Sequence, residues 1–320
     1  MNRLLSFCSS VLVLLLTGCA AHCDRSQPSG RCPPCYEEVT LPGRPDSRTP
    51  RPYEAAAFGN ASAAPVLLLH DMNGASPNCL WLAKEISGWG FRVYVPNLFA
   101  GEGMRLGSKD LFAASRYIEK NPDWKVHHKT DAGRIVDDLA CMTREISRRH
   151  GGHHVRVIGN CLTGIHPLAL LDEPCVRRVV LCQPATPLKH ACEVVLGRDQ
   201  GRAKAEALGL SEAEVEASLA TMSRDQRKKI AVLHFSHDPL APMARVHVLY
   251  QRLKARGLAS RLQTYVLKPV GEPKQPWWTD SQDTTASVTH TNPHSTIVNA
   301  DCSKDLQWFR DYLKDFLLLP

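Results

Sequence analysis

The chain has 320 residues, of which 43% are apolar and 22% charged, and a formal net charge of +7. These proportions are ordinary for a globular protein and exclude collagen-like, low-complexity and extensively disordered classes. Lys and Arg do not gather into a stripe interleaved with aromatics, so no nucleic-acid surface is expected; the cationic excess is compatible with attraction to anionic lipid.

The chain opens on Arg3, Leu4 and Leu5 and then the apolar run 11–16. This stretch of about a dozen residues has the size of a signal peptide, against the roughly 20 that a spanning helix needs. It closes on Leu16-Thr17-Gly18-Cys19, which resembles a bacterial lipobox. That resemblance implies removal of residues 1–18, acylation of Cys19 and tethering of everything downstream to a membrane of the bacterial cell envelope. Ala20, in place of the aspartate associated with inner-membrane retention, favours the outer membrane. An ordinary secreted protein or a retained anchor is the alternative. Residues 19–52, rich in Pro, Ser, Arg and Cys, read as a tether, with the folded domain over 53–320. Twelve cysteines occur in all. If Cys8 is lost, Cys19 acylated and Cys161 kept free, an odd number remains and pairing is incomplete. Cys32-Pro33-Pro34-Cys35 has redox-motif spacing, but it does not open a helix inside a βαβ unit, so a local disulfide or two inert thiols is the preferred reading.

Residues 65–70, Pro-Val-Leu-Leu-Leu-His, form an apolar strand without alternation, as a strand covered on both faces would. Helical periodicity over 77–89 and a strand over 91–95 complete a βαβ unit. An irregular stretch over 97–130 holds a short helix around 111–120. Residues 131–149 read as a helix with Ile135, Leu139, Met142 and Ile146 on one stripe. The strand 154–158 runs straight into Gly159-Asn160-Cys161-Leu162-Thr163-Gly164, followed by a helix over 162–171. Further strands are expected at 176–182, 230–235 and 262–267. Between the first two lies a charged segment, 187–229, whose Ser211 and Glu214 form a capping box; it reads as a helical insertion over the site. A second insertion, 269–289 with Trp277 and Trp278, reads as a lid or apolar pocket. An amphipathic helix over 301–318 ends the chain, with Leu306, Phe309, Leu313 and Phe316 inward. The alternation predicts an α/β fold with a mostly parallel central sheet and helices on both faces.

A nucleophile between glycines on a sharp strand-to-helix turn is lifted from the backbone at the carboxyl end of a parallel sheet. Cys161 holds that position, and the N–H of Leu162 is placed to stabilise a developing oxyanion. Such a nucleophile needs a base and the base an acid, in the chain order nucleophile, acid, histidine. Asp238, in Ser236-His237-Asp238-Pro239-Leu240-Ala241-Pro242, is the acid. His294, in Thr289-His290-Thr291-Asn292-Pro293-His294, is the base, preferred over His290 because it lies nearer the terminal helix. The second oxyanion donor is expected from His70-Asp71-Met72-Asn73-Gly74, at the N–H of Met72. Asp71 is read as a carboxylate that orients this loop, bears on the thiol proton or caps a helix. No histidine spacing demands a metal.

Together these motifs resemble the dienelactone hydrolase family of α/β-hydrolases from about residue 66 to residue 316. The elbow is similar to that family's Gly-x-Cys-x-Gly-Gly, with Thr163 in place of a glycine. The His-Asp-x-x-Gly loop, the run into Pro96-Asn97-Leu98-Phe99 and the Asp-Pro-x-x-Pro stretch at Asp238 are similar as well. The resemblance implies an α/β-hydrolase fold, Cys161 as nucleophile, His294 as base, Asp238 as acid, Met72 and Leu162 as oxyanion donors, and no cofactor. The implied substrate is a small ester, thioester or lactone opened through an acyl-cysteine. Val298 stands where the family's chlorocatechol enzymes hold a substrate carboxylate with arginine, so dienelactone itself is not expected. Peptide-bond cleavage would use the same residues. The competing readings are a catalytically silent hydrolase-fold surface lipoprotein that binds or supports the envelope, and thiol-disulfide exchange through Cys32 and Cys35.

Overall fold

The computed structural model describes residues 34–44, 52–99, 104–126, 128–187, 205–238, 240–284 and 304–319. Among the described residues nine strands form one sheet in the order β1-β2-β4-β3-β5-β6-β7-β8-β9. They are β1 (Glu37–Leu41), β2 (Tyr53–Phe58), β3 (Ala64–Leu68), β4 (Phe91–Pro96), β5 (Val155–Asn160), β6 (Val176–Cys182), β7 (Lys229–Phe235), β8 (Leu262–Pro269) and β9 (Asp280–Thr284). Only the β1–β2 and β2–β4 pairs are antiparallel; every other pair is parallel.

Helices cover both faces, as the unbroken apolar strands require. Val66 and Leu68 point toward α1 (Pro77–Gly88) and α7 (Lys304–Leu318), whereas Leu67 and Leu69 join the opposite core. That second core takes α2 (Leu111–Lys120), α3 (Ile135–Arg149), the single turn α4 (His166–Ala169), α5 (Glu212–Arg224) and α6 (Met243–Ala255). The stripe Ile135, Leu139, Met142 and Ile146 is at most 1% exposed, as its helical spacing predicts. On α7, Phe309, Leu313 and Phe316 are equally buried, while the side chain of Leu306 and the start of the expected helix at 301–303 lie outside the described residues. No helix among the described residues is long and apolar enough to cross a membrane.

Three expectations need correction. The stretch 19–52 is not tether throughout: Glu37–Leu41 pairs with β2 in register Glu37↔Ala57 to Leu41↔Tyr53. Arg44, three residues past β1, is fastened to α3 and its approach, its N–H donating to Asp138 Oδ1 at 2.8 Å and its guanidinium to Asp123 Oδ1 at 2.8 Å. The other oxygen of Asp138 accepts from the Tyr53 hydroxyl at 2.8 Å. Second, the helix expected over 162–171 breaks into short turns at 161–163, 166–169 and 170–172. Pro167 lacks the N–H that a continuous helix would use. Third, β2 went unread because Ala55, Ala56 and Ala57 neither alternate nor favour strands; antiparallel pairing on both sides buries them to within 1%.

The described part of the 187–229 segment is the β6-to-β7 crossover. Its helix α5 opens with the Ser211–Glu214 capping box, and Ser218 Oγ donates to Leu168 O at 2.8 Å, against the turns after Cys161. In the second insertion, Trp278 is buried and Trp277 stacks on His247 and Tyr250 of α6, with centroids 5.2 and 5.9 Å away.

Candidate active site

Strand order reverses between β3 and β5: the chain leaves β3 toward β4 on one side, and β5 leads to β6 on the other. Loops leaving the carboxyl ends of these neighbours diverge and open a crevice, the usual ligand position in parallel sheets. The turn bearing Cys161 comes after β5, the 70–74 loop after β3, and Asp238 after β7.

Cys161 takes φ +53°, in the left-handed region. For a residue other than glycine this costs of order 1–3 kcal/mol and persists only where neighbours over-determine it. Here the Cys161 carbonyl accepts from Gly164 N–H and from Ala185 N–H, both at 2.9 Å. The next carbonyl, Leu162 O, accepts from Thr186 Oγ1 at 2.6 Å. Close approach explains both glycines. A Cβ on Gly164 would lie 2.7 Å from Pro184 Cα, and one on Gly159 would overlap the Thr163 carbonyl and the Pro167 ring. The Cys161 side chain is 5% exposed.

Thr163 joins this turn to the loop after β3. Its hydroxyl accepts from Asn160 N–H at 3.0 Å and donates to His70 O at 3.0 Å. His70 is wholly buried and bridges two chain segments: Nδ1 donates to Asp71 O at 2.8 Å and Nε2 accepts from Leu98 N–H at 3.0 Å. That pairing assigns the neutral tautomer with its proton on Nδ1. Burial brings the imidazole down to about 4, opposed by the bond to Asp71. His70 therefore holds the loop that presents Met72 rather than moving protons at neutral pH. Among the described residues the N–H of Met72 donates to no backbone or side-chain acceptor, and the Met72 side chain is buried. Asp71 closes the loop as an Asx turn, accepting from Asn73 N–H at 2.7 Å. Its charge also bears on the thiol of Cys79, which burial, then Asp71, pushes up.

Asp238 is 4% exposed. Its Oδ1 accepts from the N–H groups of Leu240 at 2.8 Å and Ala241 at 3.1 Å, and its Oδ2 from Gln183 Nε2 at 2.6 Å. Gln183 opens the loop after β6, the loop whose Ala185 and Thr186 hold the nucleophile turn. The structure thus brings Cys161, Leu162 and Asp238 together through one short segment. His294, His290 and Val298 lie outside the described residues, as do Cys19 and Cys32; Cys35 is a free, exposed thiol. Among the described residues no three His, Cys, Asp or Glu side chains gather to hold a metal ion. The sequence motifs did not reveal Thr163 as a tie, nor Gln183, Thr186 or the buried Arg245, because none follows a spacing signal.

No family model matches the chain, and no curated protein matches it in sequence. Similar solved structures exist. An esterase of Pyrococcus furiosus, in two crystal forms, aligns with a TM-score of 0.50 at 12% and 13% identity, over 88% of this chain and 92% and 91% of its own. A Klebsiella pneumoniae protein assigned as a dienelactone hydrolase aligns over 88% of this chain and all of its own, at 14% identity and a TM-score of 0.48. At such identities the likeness speaks to architecture. The fold is that of the α/β-hydrolases, a mostly parallel sheet with helices on both faces.

Proposed function

We propose that the chain is a dienelactone-hydrolase-like enzyme that cleaves a small ester, thioester or lactone through an acyl-cysteine intermediate. The observation that carries this reading is Cys161 at φ +53° on a glycine-flanked turn, joined through residues 183–186 to a buried Asp238. An esterase among the proteins of similar fold supports it.

In this reading His294 takes the Cys161 thiol proton as sulfur attacks the substrate carbonyl carbon, and Asp238 orients the imidazole. The N–H groups of Met72 and Leu162 receive the oxyanion. Collapse expels the alcohol or thiol, which takes the proton from His294. Water, deprotonated by His294, then releases the acid and restores the thiol. Acylation of Cys19 would hold the domain at the outer membrane of a bacterial envelope.

The test is hydrolysis of short p-nitrophenyl esters, thioesters and lactones by the wild type and by Cys161→Ala, His294→Ala and His290→Ala. Loss of turnover in the first two variants alone supports the triad. A wild type without turnover, whose Cys161 is also inert to iodoacetamide near neutral pH, would identify a silent binding module instead. Anchoring is tested separately: Cys19→Ala should release the protein from the membrane fraction, and the mature N-terminal peptide should carry the mass of its acyl chains.

A further inference from the structure

We infer that Gln183 is a positioning residue, which sets the plane of the Asp238 carboxylate and holds it in fixed relation to the nucleophile turn. The inference rests on the reading of Asp238 as the orienting acid.

Gln183 is the first residue past β6, at φ +43°. Glycine is the residue that would relax this left-handed backbone, and glycine would delete the amide. The side chain is 1% exposed, so its amide has been taken out of water and must find partners within the protein. One is Asp238 Oδ2, at 2.6 Å.

The two carboxylate oxygens are held from different directions. Oδ1 is held by backbone donors of the acid's own turn, Leu240 and Ala241. Donors on Oδ1 do not by themselves set the plane of the carboxylate, and the donor from the β6 exit adds a hold on Oδ2. An sp² oxygen accepts twice, so the bond from Gln183 is compatible with a second, imidazole N–H donor to the same oxygen. The amide is neutral and leaves the negative charge available to an imidazolium, as an acid of this kind requires.

The same short segment reaches the nucleophile. Two residues on, Ala185 N–H donates to Cys161 O, and Thr186 Oγ1 donates to Leu162 O. Gln183 N–H donates to Leu233 O at 3.0 Å, which fastens the segment to β7 as well. One of its carbonyls, Pro184 O, accepts from Nη1 of Arg245, a wholly buried α6 residue whose Nε donates to Ala207 O at 2.7 Å. Arg245 is also the charged group that faces Asp238 from the neighbouring helix. Burial brings it down to about 9 and Asp238 opposes the fall, so it remains a cation at neutral pH.

The experiment measures kcat/KM against pH for p-nitrophenyl acetate with the full chain, as wild type, Gln183→Leu, Gln183→Glu, Asp238→Asn and the Gln183→Leu/Asp238→Asn double variant. Gln183→Leu is expected to lose about 10- to 100-fold, the worth of a hydrogen bond to a charged group, chiefly in kcat. Gln183→Glu is the diagnostic variant. Its protonated carboxyl donates to Asp238 as the amide does, so turnover stays near wild type at low pH. Turnover then falls as the two adjacent carboxyls lose their shared proton, adding a descending limb that the wild type lacks. In the double variant the Gln183→Leu loss should vanish, because Gln183 acts through Asp238. A Gln183→Leu loss that persists undiminished beside Asp238→Asn, with a wild-type pH profile for Gln183→Glu, overturns the inference and leaves the triad standing. Wild-type turnover in Asp238→Asn overturns the acid assignment and the inference with it. If Gln183→Leu fails to fold, the pH profile of Gln183→Glu decides alone.

Discussion

The Thr163 hydroxyl donates to the His70 carbonyl at 3.0 Å, and this contact joins the turn after β5 to the loop after β3. The two loops, which in the proposed reading supply a nucleophile and an oxyanion donor to the same carbonyl group, are thereby held at one separation. Thr163 thereby has a structural task at this turn.

Replacing that hydroxyl should therefore separate the two loops. Thr163→Val leaves both Asn160 N–H and His70 O without this partner and is expected to cost about 1–3 kcal/mol in urea unfolding, with a larger fractional loss of ester turnover. Thr163→Ser should retain most of both.

Acid sensitivity should come from two buried imidazoles. His70 and His166 are both wholly buried, and burial brings each to about 4 from 6.5. The unfolded state binds more protons between these values, so this contribution is complete above pH 6.5 and is lost as pH falls toward 4. Each histidine should add a slope of about 1.4 kcal/mol per pH unit in that window. Among the described residues neither ring nitrogen of His166 meets a partner with full hydrogen-bond geometry, only the Thr163 backbone weakly opposes the fall, and the ring packs edge-on to Trp124 at 5.8 Å. His166→Phe should consequently fold at pH 7 and lower the acid slope by about 1.4 kcal/mol per pH unit; urea titrations from pH 4 to pH 8 measure both effects.

The nucleophile turn should not tolerate a methyl group at its second glycine. With a Cβ 2.7 Å from Pro184 Cα and 2.8 Å from Cys182 O, Gly164→Ala must push the β6 exit loop away from Cys161. A loss of about 1–3 kcal/mol is expected from overpacking, together with loss of turnover. Gly88→Ala, where nothing lies within 4 Å of the added carbon, should change neither and serves as the control.

The polar clamp at the sheet's antiparallel end should be measurable as stability alone. Tyr53→Phe removes one of the two bonds to Asp138 and is expected to cost about 1 kcal/mol. Arg44→Ala keeps the backbone bond to Asp138 but should cost more, since it removes the ion pair to Asp123 and the bond to Arg134 O at 3.2 Å. Thermal unfolding of both variants, with ester turnover near wild type when folded, would establish that the clamp acts at a distance from the site.

Where local pattern and tertiary environment agreed, the sequence was legible. The strands 91–95 and 176–182, the stripe on α3, the capping box of α5 and the Gly159–Gly164 turn all express short-range rules, namely periodicity, capping and the space a left-handed turn needs. Cys161 and Asp238 each sit on a turn at the end of a buried strand, so both could be nominated as site candidates before any contact was known.

By itself, then, the sequence determined the class of fold and the place of Cys161 at the end of a buried parallel strand, with Asp238 on the turn after a later strand. Tertiary structure alone decided that the alanines of β2 are strand, because burial between β1 and β4 outweighs their weak propensity. It also decided that the segment after Cys161 is a series of short turns packed under α5, and that Gln183, Thr163, Thr186 and Arg245 bind the site together. The physical reason is common to these four side chains: each bonds to groups far away in sequence or across a tight turn, and long-range pairing leaves no period in the chain from which it can be read.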